Sequence, residues 1–321
     1  MTGLFSYLVF FLILASIYAI MALGLNLQWG FTGLFNIGVV GFFAVGAYTF
    51  SILATPPMAG QFGGFNWPFV LALVGALVMS GLIALIVGIP TLRLREDYLA
   101  IATIGIAASI QLVANNYGWL TGGPQGIYNI PQPLSNYFSS NLAYNIFFLI
   151  MMMVIVGVVY YGLQRMVNAP WGRVLMAIRE DETAAGSVGK NAFSYRLQSF
   201  VIGAMLMGLS GALYASFIKY ISPTLFMPVL TFQVWAMLIV GGSGSNLGAI
   251  IGSVLVWALW TGSGTLVQSV LPPDLQVKGG AIQIILIGLV LMLVLLFRPR
   301  GILGERKVVA AERARSKIST G

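Results

Sequence analysis

The sequence predicts an all-α protein, a polytopic transmembrane helical bundle of about eight to ten spans with broken or re-entrant helices. Three observations predict it. Only 7% of the 321 residues are charged and 59% are hydrophobic, whereas a soluble domain carries about 25% charged residues and needs them to cover its surface. The first charged residue is Arg93, so nothing before it resists burial in hydrocarbon. The apolar runs are continuous rather than alternating, which selects helices over a barrel, the other architecture that satisfies every backbone group in lipid.

Lys and Arg mark the cytoplasmic side, and they cluster at residues 93–95, at 165–196 and from 298 onward. Residues 4–27, 34–54 and 67–92 then make three crossings from an external amino terminus. No basic stretch precedes the first run, so 4–27 is expected to be a retained span rather than a signal peptide. Residues 98–116 and 140–163 add two crossings around an external loop. The stretch 197–297 starts and ends inside and is assigned four: 198–218, 226–241, 247–267 and 279–297. The working total is nine, with 98–116 and 226–241 short enough to be re-entrant. The expected organisation is a transmembrane domain over 1–305, a cytoplasmic segment at 165–197, and a basic cytoplasmic tail at 306–321.

Many of the 39 glycines lie inside apolar runs, as in Gly33–Phe50, Gly203–Ala215 and Gly248–Leu255. Small residues three or four apart let helix backbones approach closely. Two other clusters, "TGGPQG" from Thr121 and "GGSGSN" from Gly241, interrupt the spans with turn-forming residues. Such breaks serve as interhelical turns or expose backbone groups to a solute.

Composition excludes much chemistry. The chain has no Cys and no His, so disulfides, thiolate nucleophiles, imidazole bases and the usual zinc sites are ruled out. The net charge of +8 is concentrated beside a membrane helix, with seven of the sixteen basic residues between Arg298 and Lys317. That pattern points to anionic membrane lipid rather than nucleic acid.

One segment concentrates charge: "IREDETAAGSVGKN", Ile178 to Asn191. As a phosphate loop it fails at both ends, since Ala184 stands where the first glycine is needed and Asn191 where the hydroxyl is needed. As a catalytic site it offers consecutive acids, Glu180, Asp181 and Glu182, flanked by Arg179 and Lys190 in a water-facing segment. Nothing there separates their pKa values into acid and base. As a docking handle it is well formed. A helix-forming stretch from Gly172 presents a small apolar face of Ile178, Ala184, Ala185 and Val188, and Gly189 ends it with Lys190 near the negative pole of the helix.

The same segment resembles the Glu-Ala-Ala loop of ABC-importer permeases: Glu182, Ala184, Ala185 and Gly189 follow its pattern with Thr183 inserted. More widely, Gly172–Ala215, Tyr18–Tyr48, Thr91–Ile110, Leu120–Pro131, Leu238–Ser253 and Arg298–Glu305 are similar to the LivM-type permeases of branched-chain amino acid importers. The resemblance implies a non-enzymatic transport subunit of a bacterial inner membrane. It also implies a homologous LivH-type permease, two cytoplasmic ATPases of LivG and LivF type that bind ATP and Mg, and a periplasmic substrate-binding protein. The helix around Asp181 to Gly189 would be the ATPase-coupling helix, with Arg179 and Glu180 beside it.

No charged residue sits near the middle of any assigned span. A titratable relay is therefore missing, which argues against proton coupling and places the energy source outside this chain. A neutral or zwitterionic solute needs only helix ends, amides and hydroxyls. The candidates are Asn26, Asn36, Thr103, Asn115, Asn116 and Thr121, each of which also serves as an interhelical hydrogen-bonding group. A hydrophobic amino acid fits such a path, and urea, carried by related permeases, fits it too. The rival expectations are a self-contained channel or secondary transporter and a membrane-embedded enzyme. For an enzyme, Glu96–Asp97 is the remaining acidic pair, expected to form local ion pairs with Arg93 and Arg95.

Overall fold

The computed structural model describes residues 2–57, 60, 62–270, 279–298 and 301–304. Each of the nine predicted segments contains a helix, although 34–54 is helical only from residue 39: α1 (Thr2–Leu25), α2 (Val39–Ala54), α3 (Phe69–Thr91), α4 (Glu96–Asn116), α6 (Asn141–Asn168), α9 (Ala192–Ile218), α10 (Pro228–Gly241), α11 (Asn246–Val270) and α12 (Gly279–Phe297). Between them lie three short helices, α5 (Gly118–Thr121), α7 (Pro170–Glu180) and α8 (Glu182–Ser187). Among the described residues, seven helices are long and apolar enough to cross a membrane. The 16 residues of α2 fall short, and α12 is not among the seven, so length and composition do not reproduce the count of nine. Of the two weaker segments, α4 is a full 21-residue helix, whereas α10 has 14 residues and reaches spanning length only with the turn that starts at Pro223. The tail from 306 lies outside the described residues, as do Asp274 and Lys278.

The helices sort into core and rim. In the span that contains α1, 78% of the most apolar window is buried, against 22% for α6 and 28% for α3 and α4. A helix that is apolar all round is either enclosed by protein or meets lipid. Helix α1 is the first kind. Helices α3, α4 and α6 are the second, with Ile86, Ile101, Ile150 and Val158 directed outward. Exposure of that kind is compatible with hydrocarbon and incompatible with water, so the chain is a multi-pass membrane protein.

Helix α9 is the hub, packed on α1, α2 and α3. Its small residues decide this. A Cβ on Gly211 would fall on the Phe43 carbonyl of α2, one on Gly208 would fall on Ser80 of α3, and one on Gly46 would fall on the Gly208 carbonyl. The Ser210 hydroxyl donates to the Ile17 carbonyl of α1 at 2.7 Å, which locks the fourth contact. Helices α10 and α11 meet in the same way through Gly241, Gly248 and Gly252. The glycine-rich stretches thus act as packing surfaces. At the end of α9 away from the charged segment, a two-residue antiparallel pairing, Ile127 with Ile221 and Tyr128 with Tyr220, ties the loop after α5 to the end of α9.

Candidate functional site

Two connected features carry the candidate function: the charged segment between α6 and α9, and an irregular junction between α1 and α2.

The charged segment starts at Ala169, which leaves the helix so that Pro170 can open α7 at a position where its missing N–H costs nothing. Gly172, Leu175 and Ile178 recur every three residues and form the buried face of α7. The single long helix expected from Gly172 to Gly189 is divided at Asp181. That residue is extended (φ −155, ψ 106), and its carboxylate accepts the Ala184 N–H at 3.0 Å. Asp181 therefore stops one helix and caps the next, the use for which a short acidic side chain competes best. The division also revises the docking face. Ala185 is tucked under α8 at 7% exposure, while Ala184 is exposed and Val188 is 76% exposed. Glu182 accepts from Arg196 Nη1 of α9 at 2.7 Å, pinning α8 to the bundle. Gly189 ends the segment in the left-handed region (φ 77). The result is a short, capped, small-surfaced helix that presents Thr183, Ala184 and Val188 outward.

At the junction, α1 gives way to a π-helical turn, Asn26–Phe31, followed by irregular chain to Gly38. Non-helical backbone inside an apolar bundle must be satisfied by protein, and the side chains here do so. Asn26 donates to Asn246 Oδ1 at 3.0 Å and accepts the Gly244 N–H at 2.9 Å, while Asn246 donates to Gln164 of α6 at 3.1 Å. Gln28 donates to the Phe200 carbonyl at 2.8 Å and accepts from Asn36 at the same distance. Asn36 also accepts the Gly38 N–H at 2.7 Å, and its carbonyl receives Trp235 Nε1 at 3.1 Å. Thr103 of α4 accepts the Ile37 N–H at 3.0 Å, and Thr231 of α10 accepts the Val40 N–H at 3.2 Å. Asn26, Gln28 and Asn36 are fully buried.

The two features touch. Arg179, the penultimate residue of α7, donates through Nη1 to the Gly30 carbonyl inside the π turn and through Nη2 to Glu180 at 3.2 Å. Gly33, in the left-handed region (φ 76), lies against the Arg179 stem.

The six solute-path candidates separate accordingly. Asn26, Asn36 and Thr103 converge on the junction. Asn115 and Asn116 are exposed at the far end of α4, where Asn116 bonds its own helix at 2.8 Å. Thr121 closes α5 by donating to the Ala114 carbonyl at 2.7 Å, and it lines an apolar cavity of about 530 Å³ between α2, α3 and α4. Sequence reasoning missed Gln28, Gln164, Thr231, Trp235 and Asn246. Two amides in an apolar run, Asn26 and Gln28, followed by Gly30 and Gly33, were the available signal. Among the described residues no group of three or more acids could hold a metal ion.

The junction predicts its own sensitivity. Asn36→Leu leaves the Gln28 amide oxygen and the Gly38 N–H without partners, at about 1–3 kcal/mol per buried group. Thermal unfolding in detergent should fall by several degrees, whereas Asn116→Leu, at an exposed helix end, should not move it.

Residues 7–295 match the family model described as the permease component of branched-chain amino acid transport systems. The chain belongs to this family. It is 30% identical over 313 residues to the high-affinity branched-chain amino acid transport permease LivM of Escherichia coli K12, covering 90% of this chain and 68% of that protein. A probable LivM permease of Methanocaldococcus jannaschii is 26% identical, with 91% and 92% covered. The LivH permease of Escherichia coli K12 is 28% identical over 316 residues, with 92% and 94% covered. No solved structure matches. In this member of the family, Arg179 is a contact between the charged segment and the junction.

Proposed function

We propose that this chain is one membrane-spanning half of an ABC importer that moves branched-chain or other hydrophobic amino acids into the cytoplasm of a bacterium, across the inner membrane. A homologous LivH-type permease completes the pathway, two LivG- and LivF-type ATPases bind and hydrolyse ATP with Mg, and a periplasmic binding protein delivers the solute. The amino terminus lies outside and the carboxy terminus inside. The supporting observation is α8, a capped helix that projects small residues outward beside an ion pair anchoring it to α9. Such a helix seats in a groove of an ATPase, and its displacement biases the inward-facing against the outward-facing arrangement. The proposal of a hydrophobic amino acid as cargo rests on the relatives' printed roles and on spans without charge, since an apolar zwitterion needs no counter-ion from the path.

Purification with native partners tests this. Two ATPases and a second permease should co-elute. Ala185→Trp, which forces a large ring under a buried face, should detach α8 from its seat and lower both ATPase recovery and uptake by about tenfold or more. Uphill accumulation by the isolated chain, with no ATPase present, would sink the proposal.

A further inference from the structure

A second cavity, of about 490 Å³, lies at the inner end of α3 and α4. It is lined by Arg93 and Arg95 of the α3–α4 connection, Arg196 and Phe193 of α9, and Glu182 of α8, with four leucines completing the wall. Among the described residues, the lining thus holds three arginines and one carboxylate. Arg93 lies over the Phe193 ring at 5.7 Å from its centroid. The Arg196 side chain is only 15% exposed; its Nη1 holds Glu182, but its Nε is buried without a hydrogen-bond partner. A buried donor left unpaired on a charged group is costly, and an incoming anion would satisfy it.

We infer that this cavity binds the phosphate of an anionic phospholipid headgroup, held by Arg93, Arg95 and Arg196. The shared chemistry is a phosphate monoanion or diester, and a free phosphate would satisfy the same three groups. Position favours the lipid. The cavity opens beneath α3 and α4, the helices whose outer faces are apolar, with Ile86, Ile89, Tyr98 and Ile101 exposed above it. A headgroup seated among the arginines would lay its acyl chains along those residues. Basic pockets at the inner ends of membrane helices are suited to such headgroups. Because Arg196 holds Glu182 through Nη1, a phosphate at its Nε shares one guanidinium with α8. Lipid charge thereby acts on the segment assigned to ATPase docking. That consequence rests on the importer proposal, whereas the binding site rests only on the inner placement of residues 92–95.

The test uses the purified, delipidated full chain in neutral detergent, followed by native mass spectrometry. Dioleoyl phosphatidylglycerol should remain bound at one per chain, and dioleoyl phosphatidylcholine should not. Arg93→Gln with Arg95→Gln, both at exposed positions, should weaken retention roughly 10- to 30-fold, and the double Lys variant should keep most of it. Inorganic phosphate binding as tightly as the lipid would keep the anion site and overturn its lipid source. Equal retention of the zwitterionic lipid, or unchanged retention by the Gln variant, overturns the proposal. So does loss of ATPase co-elution in the Gln variant with lipid binding intact, which would assign these arginines to an acidic protein surface. Failure of lipid binding alone leaves the importer proposal standing.

Discussion

In the proposed importer, Arg179→Gln is expected to leave the ATPases bound and hydrolysing ATP while solute uptake falls by about tenfold or more. The reason lies in the direct contact between the charged segment and the junction. Helix α8 hangs between α7 and α9, and on the α7 side Arg179 reaches the Gly30 carbonyl within the π turn. The turn itself is held by Asn26 to Asn246, by Gln28 to Phe200, and by the Thr32 and Ser199 hydroxyls at 2.7 Å. In the proposed importer, movement of α7 and α8 would therefore act on the Gly30 carbonyl of an irregular element that is already held by side chains from other helices. A charge-assisted hydrogen bond of this kind contributes about 1.5–3 kcal/mol. Taking that away from a two-state element changes its population ratio by roughly ten- to a hundredfold. Glutamine is too short to reach and carries no charge, so the link is lost. Lysine keeps a donor and a charge, so Arg179→Lys should restore part of the uptake. The measurement is solute accumulated per ATP hydrolysed in proteoliposomes. A ratio unchanged by Arg179→Gln would show that motion reaches the bundle by another route, such as Glu182 and Arg196.

The division between what was legible in the sequence and what was not follows from the range of the interactions. The nine helical segments were legible because hydrocarbon burial demands a continuous apolar run and charge interrupts it. Arg93 and the cluster from Arg165 to Arg196 divide the chain where helices end. The small-residue packing of α9 was legible because its Gly spacing is local. The break at Asp181 was not, since no Gly or Pro marks it. The helix divides because an aspartate side chain outcompetes the backbone for the Ala184 N–H, and three consecutive acids suit a continuous helix start equally well. The π turn was hidden for another reason. Its stabilising partners lie far along the chain, as with Asn26 and Asn246, 220 residues apart, and no local pattern encodes such a pair. The same limit explains why Asn26, Asn36 and Thr103 could not be told apart from Asn115 and Asn116 by residue type alone.

Gly211→Leu should abolish the folded protein, whereas Gly157→Leu should be tolerated, although both replace a glycine inside a long apolar helix with the same side chain. Propensity alone favours both changes, because leucine is the better helix former by about 1 kcal/mol. Packing reverses the sign at one of them. At Gly157 a new Cβ meets nothing within 4 Å, as expected for the rim helix α6, and the added isobutyl group would simply join the apolar outer face. At Gly211 the first new atom falls on the Phe43 carbonyl, with the Ala47 nitrogen 3.0 Å away. Those are backbone atoms of α2, so no side-chain rotation can make room. The helices must separate, and α9 would at once lose its contacts with α2 and, through Gly208 and Ser210, strain those with α3 and α1. Ordinary overpacking costs about 1–3 kcal/mol. A displacement shared by three interfaces should exceed the upper end of that range and approach the total stability of a domain, about 5–15 kcal/mol. Expression followed by size-exclusion chromatography in detergent reads the difference directly: a monodisperse peak for Gly157→Leu, and aggregate or no recovered protein for Gly211→Leu. Equal behaviour of the two variants would mean that α9 is not the hub on which α1, α2 and α3 are assembled.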